Sequence, residues 1–330
     1  MNCGKAVYSR VARVCKNDEG GSHKFSNRWT TFLKARLNCS LPGDYPFYFD
    51  NIQSTSSWHR EGSSRVFYAV FTTPTNSIPG SAVCRFSMDD ITASFDGDFK
   101  TQASVNSNWL PLPSSAVPSP RPGGCHNSSS TLPESSLHFI ANHCLMDKAV
   151  PSSPVFLRSG DSELLTRVVL HPGLRDLAGQ ARDLLYIGTN RGRVLRVALG
   201  TEGGDSTVLE EIQVFPADTP VMDLVLPSPS SPLLLVLSAD TVHSLPLARC
   251  QHTSCSSCLA ASSSPHCAWH TALSTCAAHM DVRDRTRMVH RLAECPGGEL
   301  GSTSTTQLCY TTIHMFFCTL AHSSLFQVAI

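Results

Sequence analysis

Between Asp183 and Leu245 the chain alternates short β-favouring runs with turn residues, and this pattern constrains the fold more than any other feature. Leu184–Ile187 and Val194–Leu199 flank Thr189-Asn190-Arg191-Gly192, so Asp183–Leu199 reads as a β-hairpin. In the second arm Val194, Val197 and Leu199 are apolar while Arg193 and Arg196 are charged, which suggests a half-buried strand. Four further strand candidates follow: Leu209–Phe215, Val221–Leu226, Pro232–Leu237 and Thr241–Leu245. Short strands at spacings of roughly 8–12 residues indicate an all-β fold, a sandwich or a propeller.

Upstream the same reading continues. Ala6–Val14 alternates apolar with polar or basic positions and reads as a strand entering Cys15. Trp29–Leu37 fits a strand or a short helix equally well. Asp44–Asp50 is aromatic-rich, Val66–Thr73 is the clearest buried strand of this half, and Ala82–Phe86 is another. Met88-Asp89-Asp90-Ile91 reads as a helix start. Pro113–Pro133 is rich in Ser, Pro and Gly and reads as an exposed loop. Pro133-Glu134-Ser135-Ser136 then leads into a short amphipathic helix over Leu137–Met146.

Net charge is zero, with no dominant basic patch, which argues against nucleic acid as a partner. Fourteen cysteines, six of them between Cys250 and Cys295, favour an oxidising compartment. The sequons Asn38-Cys39-Ser40 and Asn127-Ser128-Ser129 point the same way and make Asn38 and Asn127 candidate N-glycosylation sites. Against this, Met1-Asn2-Cys3-Gly4-Lys5 carries no apolar run of the kind that opens a signal peptide. No phosphate-binding loop, Gly-x-Ser-x-Gly elbow or His-Glu-x-x-His motif is present, so no enzyme activity, cofactor or small-molecule substrate is expected.

The ordered segments Arg13-Val14-Cys15-Lys16-Asn17-Asp18, Trp29–Ser40, Val70-Phe71-Thr72-Thr73 and Gly80-Ser81-Ala82-Val83-Cys84 carry a resemblance. With Pro120–Cys125 and Leu145-Met146-Asp147, they resemble the sema domain of a semaphorin, most closely the transmembrane kinds of class 1 and class 6. The resemblance runs from about Cys3 to Cys276. It implies a β-propeller of seven four-stranded blades followed by a PSI (plexin–semaphorin–integrin) cysteine-rich domain. Residues 1–249 would be sema propeller with an insertion at about 90–165, residues 250–296 the PSI domain, and 297–330 an unassigned tail. Repeats of about 40–50 residues leave room for roughly four blades. The expectation is therefore a fragment holding the C-terminal blades of the ring, without the family's N-terminal blades and signal peptide.

The resemblance also implies the pairs Cys15–Cys125 and Cys39–Cys84, each contributing ~2–5 kcal/mol by restricting the unfolded chain. Cys144 stands where the family has a proline and reads as a free buried thiol. Cys250-x4-Cys255-x2-Cys258, Pro265-His266-Cys267-Ala268-Trp269 and Cys276 match the PSI pattern, with Trp269 as core anchor and Cys295 as a sixth partner whose connectivity spacing leaves open. Without that context, Cys255-x2-Cys258 with Cys267-x2-His270 also fits a zinc site; the family pattern favours disulfides and no metal. The implied function is binding of a plexin receptor in axon guidance and cell migration, at the cell surface or after secretion, with pairing of two copies through the sema domain. The insertion's helix fits such pairing and equally fits packing over the propeller edge. The matching receptor-contact stretch is Tyr8–Asp18, with Arg10, Arg13 and Lys16 as candidate contacts, which also fit a solvated strand face. Alternative readings are a truncated, non-signalling or decoy fragment and an intracellular zinc-binding adaptor. Leu308–Ile330 is long enough to span a bilayer, but its His, Thr, Ser and Gln residues speak against a transmembrane helix.

Overall fold

The strand Ser64–Thr72 shows how the core is built. Seven consecutive residues from Val66 to Thr72 are buried, so both faces of the strand are covered. Phe67, Ala69 and Phe71 point into one apolar cluster, with Leu33, Ala35 and Leu37. Val66, Tyr68 and Val70 point into another, with Leu165, Val168, Leu185 and Ile187. A strand sandwiched this way loses the polar-out alternation and reads as a continuous apolar run.

The computed structural model describes residues 7–75, 77–104, 107–125, 132–160, 162–175, 181–200, 205–229, 231–247, 250, 253–260, 267–278, 288–289 and 295. Two compact units divide the chain, Met1–Leu247 and Ala248–Ile330. Four larger sheets make up the described part of the first. In the first sheet the strand Leu33–Leu41 pairs antiparallel with Arg10–Arg13 and Phe47–Phe49, and parallel with Val150–Ser152. The second runs Pro154–Ser159, Gly80–Ser87, Ser64–Thr72, Asn51–Thr55, with His59–Glu61 added to Ser64–Thr72. The third is a four-stranded meander, Leu165–Arg175, Ala181–Thr189, Arg193–Ala198 and Thr207–Gln213. The fourth has Asp223–Val225, Leu233–Leu237 and Val242–Pro246. Successive sheets pack face to face. The third meets the second through Leu185 and Ile187, and the fourth through Tyr186 and Val194 against Val221, Leu224, Leu234 and Val236.

Several elements differ from the sequence reading. Trp29–Leu37 resolves into a strand that begins only at Leu33. The strand expected over Ala6–Val14 is confined to Arg10–Arg13. Within the 90–165 stretch, Val150–Ser152 and Pro154–Ser159 belong to the first and second sheets. Helix α1 spans Met88–Asp96; the Ser87 hydroxyl accepts from the Asp90 amide at 3.1 Å, and Asp89 and Asp90 suit the positive helix start. Its Ile91 and Phe95 fill the first core. Helix α2 spans Glu134–Asn142 and buries Leu137, Phe139 and Ile140, the last two in that same core. Among the described residues no helix is long and apolar enough to cross a membrane; the 297–330 tail and Asn127 lie outside them.

Among its described residues the second unit has a small apolar core. Helix α3, Cys255–Ala260, and the strands Cys267–His270, Thr275–Ala278 and Met288–Val289 surround a core of Trp269 with Cys255, Cys258, Cys267 and Cys276. Three disulfides cross it, Cys250–Cys267, Cys255–Cys295 and Cys258–Cys276. A core this small needs such staples.

Candidate functional site

The outer edge of the first sheet gathers arginines and tyrosines. Strand pairing sets Arg10 directly opposite Arg36, so both side chains emerge on one face. The Arg36 guanidinium lies 4.2 Å from the Tyr8 ring centre and 4.8 Å from that of Tyr48, and binds the Asp50 carboxylate at 2.7 Å. The Arg10 guanidinium lies 6.0 Å from the same Tyr8 ring. Tyr8 and Tyr48 stay more than a third exposed, as does Ile52 beside them. The segment is pinned from behind: the Ser9 hydroxyl donates to the Asp50 carbonyl at 2.7 Å and accepts from the Ile52 amide at 2.9 Å. A stacked, weakly hydrated guanidinium beside exposed rings is the composition of a protein-binding patch.

The three candidate contact residues separate in this geometry. Arg10 and Lys16 are exposed. Arg13 turns inward, donating to the Gly123 carbonyl at 3.0 Å with its guanidinium 4.9 Å from the Phe95 ring centre. That contact ties the edge strand to helix α1 and to the segment ending at Cys125, which is itself bonded to Cys15. Arg36 and Tyr48 lie outside the expected contact stretch Tyr8–Asp18, and Tyr8 opens that stretch without being one of its three candidate contacts. The signal for them lies in cross-strand register, which becomes visible only once Arg10–Arg13 is paired with Leu33–Leu41.

Asp18 organises the turn that presents Lys16. Its buried carboxylate accepts from the Gly20 amide at 3.0 Å, the Thr30 amide at 2.9 Å, the Thr31 amide at 2.8 Å, and the Thr30 and Thr31 hydroxyls at 3.0 and 2.5 Å. The Thr31 hydroxyl in turn accepts from the Cys15 amide. Gly20 has φ +88°, and a Cβ there would stand 2.6 Å from the Ser26 carbonyl oxygen, so the turn requires glycine. Burial alone would raise the Asp18 pKa, but the Thr31 hydroxyl, the Gly20 and Thr31 amides and the Thr30 hydroxyl outweigh it and hold the carboxyl below its ordinary value. The folded chain thus binds this proton less readily than the unfolded chain. The resulting stability is present above the ordinary carboxylate pKa of about 3.9 and is lost as pH falls through the lower folded value. Asp18→Ala is expected to cost about 2–3 kcal/mol at pH 7 by stranding buried donors, and to narrow its deficit below pH 4; acid and thermal denaturation curves measure both.

The structure bonds Cys15 to Cys125 and Cys39 to Cys84, and leaves Cys144 a partly buried free thiol. Asn38 lies in the strand Leu33–Leu41, opposite Pro151, with its Oδ1 buried and without a hydrogen-bond partner. In the second unit, Cys255, Cys258 and Cys267 do not converge with His270: each is bonded to a different cysteine, and the His270 Nδ1 accepts from the Leu273 amide at 3.1 Å in the hairpin turn. Zinc needs thiolates, which these disulfides do not offer.

Comparison with known proteins places this architecture. The Sema domain family profile matches residues 52–228. The chain is 41% identical to Semaphorin-1A of Drosophila melanogaster over 92% of its own length and 37% of that protein's. It thus spans well under half the length of the curated relatives it matches. The solved extracellular domains 1-2 of Drosophila Semaphorin 1b superpose with a TM-score of 0.80 at 42% identity, covering 89% of this chain and 60% of that one. A solved Drosophila Plexin A in complex with Semaphorin 1b matches with a TM-score of 0.77 at 44% identity, covering 86% of this chain and 58% of that one. The face-to-face sheets are therefore blades of a sema-type β-propeller, and the chain belongs to the semaphorin family.

Proposed function

We propose that this chain forms part of a guidance ligand that binds a plexin receptor through its propeller, without chemistry of its own. The observation carrying this reading is the 44% identity, over 86% of the chain, to the solved Drosophila Plexin A in complex with Semaphorin 1b. The disulfides in both units support an extracellular setting. The Cys250–Cys295 stretch, with its three bridges around Trp269, serves as the PSI domain that follows a sema propeller. Receptor contact falls on the outer edge of the first sheet, where Arg10 and Lys16 supply exposed charge and Tyr8, Arg36 and Tyr48 supply stacked apolar area. Arg13 supports that edge from inside.

The double substitution Arg10→Glu with Lys16→Glu tests the assignment. Surface plasmon resonance against an immobilised plexin A extracellular region should show affinity reduced about tenfold or more, mainly through slower association and a weaker salt dependence. Thermal unfolding should stay within about 1 kcal/mol of the parent, since both side chains are exposed. Unchanged affinity would move the contact elsewhere on the propeller.

A further inference from the structure

The face of the third sheet turned toward the fourth is apolar at Val169, Leu184 and Val194, yet it carries a row of polar groups. Cross-strand register places Val169, Tyr186, Arg196 and Glu210 in one line, with His171 opposite Leu184 beside it. Tyr186, Arg196 and His171 are all at least 97% buried. Two of them reach across to backbone carbonyls. The His171 Nε2 donates to the Pro229 carbonyl at 2.8 Å, and Arg196 donates to the Leu247 carbonyl at 3.0 Å while pairing with Glu210 at 3.4 Å. These two bonds grip the fourth sheet at both flanks: Pro229 lies in the turn before Leu233–Leu237, and Leu247 just after Val242–Pro246.

The bond to a carbonyl requires the proton on Nε2, so neutral His171 presents a bare Nδ1. That atom is buried and has no hydrogen-bond partner. A second proton would place a charge and an unmet donor in an apolar interface, with the His171 ring 6.3 Å from the Tyr186 ring. The charged and titratable groups around it are Arg196, Glu210 and Tyr186 on its own sheet face. Asp183 lies farther along, with His59 of the second sheet 3.7 Å from it. From the fourth sheet comes His243, edge-on to Phe215.

We propose that this interface is an acid-labile clasp: the fourth sheet is held to the third at neutral pH and the hold weakens below about pH 6.5, where His171 of the opened segment takes up a proton. Burial depresses the His171 pKa and Arg196 depresses it further, against the opposing effects of the Pro229 carbonyl and Asp183. The open or unfolded segment binds the proton near the ordinary value of about 6.5, so closure is favoured above it and is progressively lost below it. If the closed form excludes the proton altogether, opening becomes up to about 30-fold more frequent at pH 5 than at pH 7.4.

Hydrogen exchange on the whole chain, corrected for intrinsic rates, measures this at pH 7.4 and pH 5.0. The amides of Leu233–Leu237 and of residues 242–245 should exchange about 10- to 30-fold faster at the lower pH, while Ser64–Thr72 does not change. His171→Gln keeps a donor for Pro229 but cannot titrate, and should abolish the difference. An equal acid response in H171Q, or none in the parent, overturns the clasp. If H171Q does not fold, an NMR titration of the parent imidazole decides: a pKa below 6.5 supports the proposal, and one at or above 6.5 overturns it.

Discussion

Gly192→Ala is expected to destabilise the first unit by about 3–5 kcal/mol, near the upper limit for a single substitution. Gly192 closes the turn between Ala181–Thr189 and Arg193–Ala198 at φ +70°, a conformation that costs any residue with a Cβ. The surroundings cost more. An added Cβ would lie 2.6 Å from the Phe215 carbonyl oxygen and 2.8 Å from those of Pro216 and Thr219. Those carbonyls belong to the segment leading into the fourth sheet, and the Gly192 carbonyl accepts from the Val214 and Phe215 amides there. Three backbone carbonyls cannot retreat as a side-chain tip can. In thermal denaturation the Tm should fall by about 10 °C or more. A loss under about 1 kcal/mol would show that the Phe215–Thr219 segment shifts freely and that the turn is not packed as described.

Trp269→Ala should have a comparable effect, confined to the second unit. Trp269 is 6% exposed, and among the described residues its buried cluster is otherwise made of cysteines, with Leu259 and Val289 packed against it. An indole is a large apolar group to bury, and its removal is expected to cost about 3–5 kcal/mol. The three disulfides restrict the unfolded chain and do not replace lost packing. Limited proteolysis should therefore cut rapidly within 248–330, while Met1–Leu247 keeps its parental resistance. Unaltered protection of the second unit would show that the bridges alone hold it.

The hairpin at Asp183–Leu199 and the strand at Val66–Thr73 were legible because turn residues and apolar runs are local signals. The charge pattern in the same hairpin misled. Arg196 reads as the solvent side of a half-buried strand, yet it is 1% exposed, because the fourth sheet covers that face and Glu210 and the Leu247 carbonyl meet its guanidinium. Covering of that kind depends on residues 14 to 51 positions away, beyond any periodicity argument. The parallel pairing of Val150–Ser152 with Leu33–Leu41 was hidden for the same reason. Asp18 stood within a recognised motif, but its role emerges only when Thr30 and Thr31 fold back onto it. Among the candidate contacts, Arg10, Arg13 and Lys16 look alike as basic residues near an edge strand. Only the position of Phe95 and Gly123 distinguishes the inward Arg13 from the others.

The receptor-facing surface proposed for this semaphorin propeller is the outer edge of its first sheet. Hydrogen exchange of the chain, alone and with a saturating plexin A extracellular region, tests it most directly. Exchange should slow over Tyr8–Asp18 and over the strands Leu33–Leu41 and Phe47–Phe49, with the third sheet unaffected. Protection centred on the third sheet, or none anywhere at saturating receptor, would contradict it.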